Sequence, residues 1–169
     1  LLNLLQYMDL LKMNITIIND CRDENARGRQ TARASSLIGG AVSFVGVLSD
    51  LEAAGNLIDV LGAYGEEPGT ILVNVAPRNG SAKKWENGTP FGYFWYKKVL
   101  VLASIDGITL SFVKKLKLVE SIKVFDIPAV VKFMVEDNYI SAEVGEHIVN
   151  TQFRSYDFLP RAGGASFAE

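Results

Sequence analysis

Asp20 ends a short apolar run, Asn14-Ile15-Thr16-Ile17-Ile18-Asn19, and opens a polar loop, Cys21 to Gln30. A carboxylate at the carboxyl end of a first strand stands where open α/β sheets bind ligands, and it can accept hydrogen bonds from both hydroxyls of a ribose. It can equally cap the turn that follows. Asp23, Glu24 and Asn25 add acceptors to the same loop, with too few histidines and cysteines nearby for a transition-metal site. Arg22, Arg27, Arg29 and Arg33 form the basic cluster. Arg29 and Arg33 are i,i+4 neighbours that can grip phosphate, carboxylate or RNA, or form a solvated or subunit-contacting face. Asp23 and Glu24 interrupt that field and no aromatic residue lies among the arginines to stack bases, so no nucleic-acid partner is expected. Cys21 sits where a nucleophile would, but the sole histidine, His147, is far away in sequence.

The elements that must position these groups read as an α/β domain. After the first strand come a helix from Gln30 to Ile38, the Gly39-Gly40 break and a second strand, Val42 to Leu48, which is the opening of a βαβ unit. Ser49-Asp50 caps a helix from Leu51 to about Ala63. Thr70 to Val75 is continuously apolar apart from Asn74, as for a strand buried on both faces, and leads into a second candidate binding loop, Ala76-Pro77-Arg78-Asn79-Gly80-Ser81. A polar excursion, Lys83 to Pro90, carries the turn signal Asn87-Gly88.

Phe91 to Tyr96 and Val99 to Ala103 follow as a strand pair. Alternation puts Phe91, Tyr93 and Trp95 on one face and Phe94 and Tyr96 on the other, either as a buried or intersubunit strand or as a wall for an adenine ring. Ser104-Ile105-Asp106-Gly107 turns the chain, Leu110 to Leu116 is a short helix, Ser121 to Asp126 a further strand, and Ile127 to Glu136 a helix with Pro128 in its first turn. The tail from Ser141 crowds polar and aromatic residues together without strand alternation. The fold class expected is α/β, with a mostly parallel central sheet, helices on both faces and a single domain.

The chain has 169 residues, 49% of them hydrophobic and 21% charged, enough for one full core and too apolar for disorder. Lys plus Arg number 17 against 19 Asp plus Glu, so no global field selects nucleic acid or an anionic membrane. Cys21 alone excludes an internal disulfide and fits a reducing compartment. The longest nearly uncharged apolar run, Leu37 to Leu48, is far short of the roughly 20 residues of a membrane span. A cytoplasmic protein without membrane contact is the expectation. Residues 1–12 read as a leader helix with Leu1, Leu4, Leu5, Met8 and Leu11 at helical spacing, and 13–169 as the domain. No phosphate-binding loop or dinucleotide fingerprint is present, since Gly39-Gly40 lacks the spacing.

Taken together, four blocks resemble the amino-terminal domain of the S-adenosylmethionine hydroxide adenosyltransferases and their fluorinase and chlorinase relatives. They are Ile18-Asn19-Asp20, Val75-Ala76-Pro77-Arg78-Asn79-Gly80, Ala103-Ser104-Ile105-Asp106-Gly107 and Phe153-Arg154-Ser155-Tyr156-Asp157, within a resemblance that covers Asn14 to Glu169. The resemblance implies that S-adenosylmethionine is substrate rather than cofactor, that no metal is needed, and that a homo-oligomer, a trimer by preference, places sites between subunits. Water or halide would attack the ribose 5′ carbon and expel methionine. By position Asp20 matches the ribose-binding aspartate, and Phe153 and Ser155 match the halogenase block. Asn79, Arg154 and Ser155 are then the candidate catalytic residues, with Asp20, Arg78, Asp106 and Phe153 as candidate substrate-binding residues.

The hydroxide-transferring members use an Asp, an Arg and a His; here those positions carry Ala76, Lys83 or Lys84, and Arg154. The expectation is therefore an enzyme with altered catalytic residues or a non-catalytic nucleoside-binding or assembly module. The family's second domain is expected to be absent from the chain.

Overall fold

Three runs rich in Ile, Val and Leu become parallel strands because β-branched side chains fit a pleated surface covered on both sides. They are β1 (Asn14–Asn19), β3 (Gly69–Asn74) and β5 (Val99–Ser104), and β2 (Ala41–Gly46) joins them at one edge. The structure is a computed structural model that describes residues 13–77, 90–151 and 153–165. The sheet is completed by β4 (Phe91–Tyr96) and β6 (Lys123–Val124) in the order β2-β1-β3-β5-β4-β6. β4 runs antiparallel to both β5 and β6, and the other pairs are parallel. The expected leader (1–12) and the Asn87-Gly88 turn lie outside the described residues.

Helix α1 (Glu24–Ile38) carries the chain from β1 to β2, and α2 (Asp50–Tyr64) carries it back past β1 to β3. The chain thus reverses direction across the sheet between β1 and β3, and the crevice at their carboxyl ends is where such sheets take ligands. α1 begins earlier than its apolar periodicity suggests, because the Asp23 carboxylate caps it by accepting from the Ala26 amide at 3.0 Å. Much of the expected polar loop is therefore helix. α2 starts as expected, with Ser49 Oγ accepting from the Glu52 amide.

Strand alternation divides the core into two layers. Ile15, Ile17, Leu72, Leu100 and Leu102 face α1 together with α4 (Ile127–Glu136), α5 (Ala142–Asn150) and α7 (Leu159–Ala165). Ile18, Ile71, Val73, Val99, Val101 and Ala103 face α2 and α3 (Ser111–Lys115). The aromatic strand obeys the same rule, with Phe91 and Tyr93 in the first layer and Phe94 and Tyr96 in the second. Trp95, expected beside Phe91 and Tyr93, is 48% exposed near the strand's end. Between α5 and α7 lies a one-turn helix, α6 (Arg154–Asp157). β6 is only two residues long, against the six expected, because it pairs only with Gly92 and Tyr93 at the sheet's edge.

Tyr64, at the end of α2, closes the amino end of the sheet. Its hydroxyl donates to the Asn14 carbonyl at 3.0 Å and lies 3.1 Å from Thr16 Oγ1, while its ring covers Gly69 so closely that any Cβ there would collide with it. Burial, only partly offset by the Thr16 hydrogen bond, pushes the phenol above its ordinary value. A raised pKa in the folded state means that this contribution is complete below about pH 10 and is lost as pH rises through the folded value. Thermal melts from pH 8 to 11 should show stability falling above pH 10, with a shallower fall in Tyr64→Phe. Equal slopes in the two proteins would remove Tyr64 as the cause.

Candidate functional site

At the carboxyl ends of β1 and β3, two asparagines stand side by side: Asn19 and Asn74 are register partners. Alternation turns both toward the layer of α1 and α6. Asn19 is held there by two bonds, its Nδ2 donating to Gln30 Oε1 at 2.8 Å and its Oδ1 accepting from the Cys21 amide at 2.7 Å. The first fastens α1 to the strand end, and the second shapes the turn that aims Asp20. An unpaired amide would be costly at a residue only 1% exposed, so this pairing serves stability as well as the site.

Ser155, brought in from the tail on α6, reaches the same place. With Asn19, Asn74 and Gln30, and with Ile17, Leu72, Leu159 and Pro160 as apolar walls, it lines a cavity of about 10 Å³. That is of the order of one water molecule. The space suits a single small molecule or ion rather than a nucleoside. Next to Asn19 in the chain but outside that lining, Asp20 is half-buried and accepts from the Ala76 amide through Oδ2 at 3.2 Å, which ties the end of β1 to the loop leaving β3.

The neighbouring strand end is also fixed by side chains. The β3–β5 ladder ends at Val73 and Ala103, and beyond it the fully buried Ser104 Oγ accepts from the Val75 amide at 3.1 Å and donates to the Val75 carbonyl at 3.2 Å. Asp50, buried in the first turn of α2, accepts from the Ile108 amide at 3.1 Å and so clamps the turn that carries Asp106. Gly107 there has φ +77°, and a Cβ would stand 2.6 Å from Asp50 Oδ2, so both backbone and space demand glycine. Asp106 itself is buried. Among the described residues no group of three His, Cys, Asp or Glu side chains is placed to hold a metal ion.

The structure thus gathers Asp20 and Ser155 at the carboxyl ends of β1 and β3, with Asp106 in the turn after β5. Arg78 and Asn79 lie outside the described residues. Arg154 and Phe153 take opposite environments: Arg154 is 6% exposed, with burial pushing its guanidinium below the ordinary value, whereas Phe153 is 73% exposed. Cys21 is exposed, and His147 on α5 bonds Asp157. Comparison with family models, with curated proteins and with solved structures found no match to the chain.

Gln30 was not legible as a site residue, whereas Asn19 and Ser104 stood in the quoted blocks and Asp50 at a helix cap, none with a role at the site. Asn74 was signalled, as the lone polar residue of an otherwise apolar strand. Two larger hollows, about 420 Å³ between α4 and α5 and about 460 Å³ beside α3 and β6, are open grooves away from the Asn19–Asn74 pair. Size alone would favour them, but neither stands between the paired strand ends that the topology selects. Among the described residues no helix is long and apolar enough to cross a membrane.

Proposed function

We propose that this chain binds S-adenosylmethionine and directs a nucleophile, water or halide, to the ribose 5′ carbon. The observation that carries this reading is the meeting of Ser155 with the Asn19–Asn74 pair beside Asp20, two blocks from opposite ends of the chain at one strand-end crevice. Asp20 takes the ribose hydroxyls, and the small cavity lined by Asn19, Gln30, Asn74 and Ser155, without a charged side chain, holds the nucleophile, with the Ser155 hydroxyl donating to it. In the reaction the nucleophile's electron pair forms the new bond to the 5′ carbon while the carbon–sulfur bond breaks, and its electrons stay on sulfur as methionine leaves as a neutral thioether. Positioning and loss of hydration lower the barrier. A halide reacts without a proton to dispose of; water must also lose one.

The exposed Phe153, two residues before Ser155 in the chain, suits a site completed by a second copy of the chain, as in a homotrimer. A non-catalytic nucleoside-binding module is the second reading. It is favoured by Arg154, which stands where the hydroxide-transferring enzymes have histidine and, as a buried guanidinium, has no proton to exchange near neutral pH.

Mass spectrometry of the purified protein with S-adenosylmethionine, with and without halide, tests both. Adenosine or a halogenated adenosine above a no-protein control is expected. Binding without product moves the assignment to the module, and absence of binding removes both readings. Asp20→Ala should weaken binding by about 1–3 kcal/mol, the loss of a buried hydrogen-bond partner. Unaltered affinity in that variant would take Asp20 out of the site.

A further inference from the structure

A second cluster lies along the seam of α1, α6 and α7, where Arg29 and Arg33 share the Tyr156 ring and Arg161 bonds the backbone of the neighbouring Asp157. Arg33 lies over the Tyr156 ring at 4.3 Å and Arg29 at 5.1 Å. Arg161 joins them from α7, donating to the Asp157 carbonyl at 2.6 Å, and the charges that act on it are Arg33 and Asp157. Burial first, and then Arg33, push the Arg161 guanidinium below its ordinary value.

The carboxylate is largely committed elsewhere. Asp157 Oδ2 accepts from Thr151 Oγ1 at 3.1 Å and from His147 Nε2 at 3.2 Å, and Oδ1 stands a full 4.0 Å from Arg33 Nη2. Arg33 Nε is buried without a hydrogen-bond partner among the described residues. By contrast Arg27, on the same helix, has its own partners in Glu24 at 2.9 Å and the Phe44 ring. Counting Arg29, Arg33 and Arg161 against Asp157, the seam holds two surplus positive charges. Crowding like charges beside apolar surface is unfavourable unless an anion answers them.

We propose that this seam is a binding site for a phosphate dianion, free or as a small phosphomonoester. A phosphoryl group carries about −1.5 to −2 near neutral pH, which matches the surplus, and its oxygens suit the forked donors of arginine. A carboxylate would leave about one charge unanswered. Such an anion would draw α1 and α7 onto α6, the element that carries Ser155, although the site itself does not depend on the S-adenosylmethionine reading.

The test titrates inorganic phosphate into the full chain by calorimetry, at an ionic strength held constant with sodium chloride, alongside acetate, glycerol 3-phosphate and a short single-stranded RNA. Saturable phosphate binding is expected, weakened about tenfold or more in Arg29→Gln and in Arg161→Gln, as for loss of a charge-assisted hydrogen bond, and unchanged in Arg27→Gln. Arg29 is exposed and bonds no part of the core, so its variant folds even if Arg33→Gln does not. Tighter binding of glycerol 3-phosphate than of phosphate would identify the phosphomonoester as the occupant, and the reverse order free phosphate. Acetate binding as well as phosphate, equal loss in Arg27→Gln and Arg29→Gln, or tight binding of RNA alone would each overturn the proposal.

Discussion

Phe158→Ala should cost about 3–5 kcal/mol, the range for emptying a fully buried aromatic site. Phe158 is 0% exposed and sits at the centre of an aromatic chain. Its ring meets Phe125 edge-on at 5.3 Å and Phe91 at 6.4 Å, and Phe125 stacks on Tyr93 at 4.6 Å. One side chain from the tail therefore joins β4, the segment after β6 and the α6–α7 pair. Its neighbours Phe91 and Leu159 are fully buried and belong to rigid elements, so the hole cannot collapse cheaply. Denaturant midpoints with an unchanged slope would read the loss, and the melting temperature should fall by roughly 10 °C. Phe158→Leu should lose clearly less. Because Ser155 rides on the one-turn helix that Phe158 terminates, product formation or ligand affinity should fall in Phe158→Ala even where the protein remains folded. A cost below about 1 kcal/mol would mean that the tail is held by something other than this ring.

The central strands were legible because each combines β-branched residues with a clear boundary, and the strand-end aspartate followed from that. α1 was only half legible: just Gln30, Ala34 and Ile38 are buried along its fifteen residues, so periodicity marks its second half and only the Asp23 cap marks its start. β6 was overextended because Ile122 and Phe125 look like strand residues, whereas their packing against the two core layers, rather than ladder pairing, accounts for them. The tail lacked any readable period because its helices are short and Phe158 binds partners far away in the chain. For the site, sequence order placed Arg154 and Ser155 side by side in one block. Only the one-turn helix sorts them, burying the arginine and turning the serine to the strand ends. The Asn19–Gln30 bond was invisible for a similar reason, since it exists only once α1 crosses over β1.

Asp157→Ala should cost about 2–3 kcal/mol, and the partners show why the value lies there. The carboxylate is 8% exposed, and removing one member of a buried pair costs about 3–5 kcal/mol when the pair is close. Here Arg33 is 4.0 Å away, a long contact that argues for less than that range. His147 is 65% exposed and bonds through water-accessible space, so its share is under about 1 kcal/mol. Thr151 contributes more than its single bond, because its hydroxyl accepts from the Phe153 amide at 3.0 Å while donating to Asp157, so the three groups set the bend by which the chain enters α6. Urea unfolding should therefore rank Asp157→Ala well above His147→Ala. A double-mutant cycle between Asp157→Ala and Thr151→Val should give a coupling of about 1 kcal/mol, since residues in one hydrogen-bond chain do not lose their contributions independently. Additive effects would break that chain and leave Asp157 as a partner of Arg33 alone; equal losses in His147→Ala and Asp157→Ala would instead make the exposed histidine the main contact.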